Sequence, residues 1–200
     1  MRLDQSVPNL VNDAYLIHHR CRGKDYALEQ QKRNMGLGFA KTGEGTPAHM
    51  KVRNEWAIVD AVEAGVIIDI VAKLRPVERA WAEWAYVDEN AGYGANTINA
   101  LYQDYVIAAL NHWGESKREK DSQSVLRVVT NTLKSYRFSI FSGTRHSVRQ
   151  IATTSSVKAD NAARDWSGWV DWAYSYADDL DKNTRVHFRN LYDIQDQEAA

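Results

Sequence analysis

A single cysteine, Cys21, stands in this chain of 200 residues. It excludes an intramolecular disulfide and any zinc cluster built on several thiolates. Long apolar runs are also missing. The longest, Val66 to Ala72, is interrupted by Asp69 and is too short to span a bilayer. The first residues, Met1-Arg2-Leu3-Asp4-Gln5, are polar and lack the apolar run of a signal peptide. The expectation is a cytoplasmic protein with no membrane partner. No segment alternates apolar and polar residues convincingly at a period of two, so sheet content should be low. No repeat of fixed period is present.

What is present suits a globular chain. The hydrophobic share is 44% and the charged share 26%, which excludes a disordered composition. The length fits one domain of ordinary size or two small ones, and suffices to bury a core. Seven Trp and ten Tyr point to deep helix packing, an interface, or both. The net charge of −1 conceals an asymmetry. Residues 1–50 carry a net +2 and residues 51–116 a net −5. Residues 117–165 hold 10 basic and 4 acidic groups, net +6, and residues 166–200 a net −4. A basic block of this kind attracts phosphates even in a neutral protein, although a solvated helix face has the same composition.

The periodicity predicts an all-α protein, a helical bundle with a C-terminal helix-turn-helix. Three regions follow: residues 1–50, a helix over about 7–33 and a Gly-rich loop (Gly36 to Pro47); residues 51–116, a helical core; and residues 117–200, a helix-turn-helix domain with C-terminal helices. In the core, apolar residues recur at three- and four-residue steps over 52–73. Pro76 suits the first turn of a helix reaching about Val87. Asp88 to Ala95 reads as a loop, and Asn96 as the cap of a helix to about Trp113. Beyond it, helices are expected over about 122–139, 146–154, 158–179 and 182–194, with Gly143 as a break.

The sharpest signal lies in Ser147 to Trp166. A helix-turn-helix needs a small residue in its first helix where the second crosses, and Ala152 fills that place. Ser155 and Ser156 make a compact turn. Val157 pins the turn, and Ala162 lies inward five residues later, with Ile151 and Trp166 completing the inner face. This is the spacing of a unit that lays its second helix in the major groove of DNA, although two amphipathic helices joined by a polar turn also produce it. Outward residues would then include Lys158 for phosphates, Asn161 for adenine edges and Arg164 for guanine edges. Arg145, His146, Arg149 and Gln150 lie at or before the first helix, where backbone contacts are usual. Asp160 and Asp165 oppose this chemistry, since each repels phosphate. The stripe Trp166, Trp169, Trp172, Ala173, Tyr176 and Leu180 reads first as core, with a dimer or partner interface as the alternative.

Enzyme chemistry finds little support. His18, His19 and Cys21 do not converge on one metal, because adjacent helical residues diverge. Gly36-Leu37-Gly38 and Gly43-Glu44-Gly45 lack the Gly-Lys-Ser/Thr ending of a phosphate loop. Asp60 with Glu63, and Glu78 with Glu83, read as solvated faces. No catalytic residue, metal or cofactor is expected, and the chain is read as a non-enzyme.

Two stretches, Ile67 to Val87 and Gln150 to Trp166, resemble the Q-type late-gene antitermination proteins of lambdoid phages, and through them the helix-turn-helix of sigma-factor region 4. They cover about a fifth of the chain. The cysteines of the zinc-bearing members are absent. The resemblance implies a phage or prophage transcription regulator in a bacterial host cell that binds double-stranded DNA near a promoter and touches RNA polymerase. Competing readings are a small-terminase-like DNA-packaging protein, with homo-oligomerisation, and a structural helical interaction protein.

Overall fold

The computed structural model describes residues 6–18, 48–87, 97–115 and 120–198. It is an all-helical bundle, with no strand among the described residues. The helices are α1 (7–18), α2 (Ala48–Lys73), α3 (Pro76–Ala85), α4 (Thr97–Glu115), α5 (Ser122–Ser142), α6 (Val148–Thr154) and α7 (Ala162–Glu198). The expected continuation of the first helix to residue 33, the Gly36–Pro47 loop, His19, Cys21, the Asp88–Ala95 loop and the Asn96 cap lie outside the described residues.

Local chemistry sets most of the boundaries. Pro76 occupies the first turn of α3, where its missing N–H is not needed. Asp121 caps α5 by accepting from the Ser124 N–H at 2.8 Å. Gly143 ends α5 in the left-handed region, φ 70°, and its N–H donates to Ser139 O at 2.9 Å. A side chain is strained at that φ, so glycine suits the stop.

Two expected helices prove to be one. The segments placed at 158–179 and 182–194 are a single helix, α7, of 37 residues, about 55 Å long at 1.5 Å per residue. Neither Gly nor Pro occurs between Trp169 and Glu198 to stop it. The acidic residues at 178–181 do not interrupt it. Asp178 pairs outward with Arg145 at 2.7 Å, and Asp181 turns into the core.

Helices α1 to α7 all contribute to one hydrophobic core, among them Val11, Ile70, Trp81, Leu101, Leu133, Ile151 and Val170. The interface of α3 with α7 carries a buried polar cluster. Asp181 accepts from Tyr86 Oη at 2.6 Å and from Trp81 Nε1 at 3.2 Å, and its other oxygen pairs with Arg185 at 2.7 Å. Burial first, then the Asp181 charge, pushes the Tyr86 phenol far up.

The expectation that Glu78 and Glu83 form a solvated face is corrected here. Glu78 is fully buried and Glu83 nearly so. Each keeps an ionic partner: Glu78 has Arg75 and His187 Nδ1, the latter at 2.7 Å, and Glu83 has Arg79 at 2.9 Å. A lone carboxylate would not tolerate such burial, but a paired one does. Helical periodicity alone could not show that α7 runs across α3 and supplies the histidine.

Burial by itself would raise the Glu78 carboxyl. Hydrogen bonds and charge from Arg75 and His187 outweigh it and hold the group below its ordinary 4.5. A depressed carboxyl stabilises the fold above its unfolded value, and that contribution disappears as pH falls through the folded value. Thermal melts should therefore show the gap between wild type and Glu78→Gln narrowing as pH drops from about 7 to about 3. A gap that stays constant over that range would contradict the pairing.

Candidate nucleic-acid interface

The site is built from α6, the residues just before it, the connection after it, and the first turns of α7. Ser147 starts α6 with a reciprocal cap. Its hydroxyl accepts from the Gln150 N–H, and the Gln150 side-chain oxygen accepts from the Ser147 N–H at 2.8 Å. Ile151 and Ala152 are fully buried, as the motif requires, and Ala162 and Trp166 are buried on the facing helix. Val157 is half-buried against the core. The five proposed inward residues therefore lie on the inner side.

The connection differs from expectation. A helix-turn-helix joins its helices by about three to four residues, whereas α6 and α7 are separated by residues 155–161. Ser155 is buried, and its hydroxyl donates to Ile151 O at 2.6 Å. Ser156 adopts φ 54°, the left-handed conformation usually left to glycine. Val157 N–H returns to Ala152 O at 3.1 Å. The chain then stays non-helical until Ala162. Asp160 and Asn161 explain the delay, because their short polar side chains favour turns and caps over helix interiors. The Asn161 carbonyl takes the first α7 bond, from Asp165 N–H at 2.9 Å. Lys158 thus sits in the connection, and Asn161 immediately before α7, not within a second helix as expected.

All seven predicted contact residues are exposed, but their partners divide them. Arg145 is held in the fold. Its guanidinium pairs with Asp178 and lies over the Tyr136 and Tyr174 rings, 5.1 and 4.9 Å from their centroids. Gln150 spends its oxygen on the cap. His146 stacks on Phe138, with its backbone fixed by Ser135 Oγ and Tyr174 Oη. Arg164 has its one ion pair among the described residues with the adjacent Asp165, at 3.0 Å, with 74% of its side chain exposed, a pairing that water and salt readily loosen. Arg149 and Lys158 make no ion pair among the described residues.

Most of the described cations of the 117–165 block fall into two sets. Arg137 reaches Val87 O at 3.1 Å and covers the Trp84 ring, and Lys120 lies over Trp166 and near Asp165. With Arg145, these brace the bundle. Lys134, Arg149, Lys158 and Arg164 project outward. Sequence reasoning missed Lys134, whose signal was its place one turn before the exposed Phe138.

The aromatic stripe of α7 is mainly packing. Trp172 stacks on His112 at 5.0 Å, Trp169 meets the same ring edge-on at 5.1 Å, and Tyr176 donates to Asp104. Of the residues resembling the antitermination proteins, the α3 part is core: Glu78 and Ala80 to Ala85 are all buried, which leaves α3 little surface for DNA.

Among the described residues no group of three His, Cys, Asp or Glu side chains could hold a metal ion, and no helix is long and apolar enough to cross a membrane. Comparison with family models, with curated proteins and with solved structures gives no match.

Proposed function

We propose that this protein binds double-stranded DNA through α6, the 155–161 connection and the start of α7, as a transcription regulator. The observation that carries the reading is the set of side chains left outward there. Arg149 and Lys158 are exposed cations without a carboxylate partner among the described residues, and Asn161 and Arg164 stand exposed where α7 begins. Behind them Ile151, Ala152, Ala162 and Trp166 are buried in the core. Cations neutralise phosphates, whereas an amide and a guanidinium read base edges. The long connection places Lys158 on a loop, which suits a phosphate contact better than a groove contact. The regulatory role rests on the resemblance to phage antitermination proteins, which also names RNA polymerase as the protein partner.

The test begins with selection of a preferred site from a random duplex pool. Arg164→Ala should then weaken binding to that site by about 1–3 kcal/mol and relax its sequence preference. Arg149→Ala should weaken selected and unrelated duplexes alike. Unchanged affinity for both duplexes in both variants would remove this surface as the DNA contact.

A further inference from the structure

The last turns of α5 carry an aromatic face that the core does not use. Phe138 and Phe141 are 56% and 52% exposed. They stand three residues apart, so they share one side of the helix, and Lys134 lies on that side one turn earlier. Lys134 is exposed and makes no ion pair among the described residues. The His146 ring is laid against Phe138, with centroids 5.9 Å apart and planes 29° from parallel. From Phe141 to Ser147 every residue is exposed. Arg149 follows His146 by three residues and supplies a second unpaired cation.

Exposed flat rings with unpaired cations nearby in the chain match unpaired nucleic acid, in which bases offer π-faces and phosphates offer charge. A second copy of this chain fits less well. The five side chains of this face bring two unpaired cations and no carboxylate to such a contact. We propose that the face formed by Phe138, Phe141 and His146 stacks on unpaired nucleobases next to a bound duplex, with Lys134 and Arg149 on the flanking phosphates. The inference rests on the duplex-binding reading above and extends it: the protein would hold DNA that is locally opened or kinked.

The experiment compares a perfect duplex with the same duplex carrying a short central bubble, using fluorescence anisotropy, with 2-aminopurine in the bubble to report stacking. Wild type should bind the bubble about tenfold more tightly, and 2-aminopurine emission should change on binding. Phe138→Trp should keep that preference, whereas Phe138→Ala and Phe138→Leu should lose most of it, all three binding the perfect duplex as wild type does. Leucine separates stacking from greasy contact, since it retains apolar surface without a ring. Equal affinity for both DNAs, or Leu serving as well as Trp, would overturn the proposal while leaving duplex binding intact. So would a change of oligomeric state in Phe138→Ala/Phe141→Ala, measured by light scattering. Binding of the bubble without any binding of the perfect duplex would instead remove the duplex reading and leave the stacking face standing.

Discussion

Replacing Asp181 by Ala should lower the unfolding free energy by about 3 kcal/mol, the lower part of the range for breaking a buried ionic pair. The carboxylate gathers three donors at the centre of the α3–α7 contact: Tyr86 Oη, Trp81 Nε1 and Arg185 Nη2. Its removal leaves a buried hydroxyl and a buried indole N–H without their acceptor, and a guanidinium without its counter-charge. The value falls at the low end because Arg185 keeps 36% of its side chain exposed and can recover water. Asp181→Asn retains an oxygen for Tyr86 and Trp81 but turns an NH2 toward Arg185, and should recover part of the loss. Urea denaturation with an unchanged m-value reads the effect directly. A loss below about 1 kcal/mol would show that Asp181 is not the keystone of this contact.

Trp81→Ala should cost about 3–5 kcal/mol, the range for emptying a large aromatic site in a core. Trp81 is completely buried, with the Trp84 and Tyr136 rings 5.7 and 5.6 Å away. It lies between two helices that are both fixed by other contacts, so the cavity can collapse only partly. Trp81 and Asp181 share a hydrogen bond. The double variant should therefore lose less than the sum of the singles, by about 0.5–1 kcal/mol or more. Strict additivity would contradict the coupling.

The fold class was legible because the apolar periodicity is strong and the punctuation is clear. Pro76, Asp121 and Gly143 each sit where the chemistry of a helix end places them. Glu78 and Glu83 look like a wet face along the chain. Their burial depends in part on His187, 109 residues from Glu78, although Arg75 and Arg79 stand only one helical turn from Glu78 and Glu83. Local pattern carries no information about which charges meet across helices. The same limit applied at the site. The inward pins Ile151, Ala152, Ala162 and Trp166 could be read from spacing, because they answer to one helix pair. The start of α7 could not, since Asp160 and Asn161 balance helix continuation against a turn. Nor did charge counting separate Arg145, which braces Tyr136 and Tyr174, from Arg149, which faces solvent.

The most direct test is a salt titration of binding to a mixed-sequence duplex, comparing wild type with Arg149→Ala/Lys158→Ala. Each phosphate neutralised contributes about −0.9 to the slope of log K against log salt. A steep negative slope in the wild type, shallower by about two such increments in the double variant, is the predicted result. No measurable duplex binding at low salt, or a double variant with the wild-type slope and affinity, would contradict the claim that α6 and the 155–161 connection hold DNA.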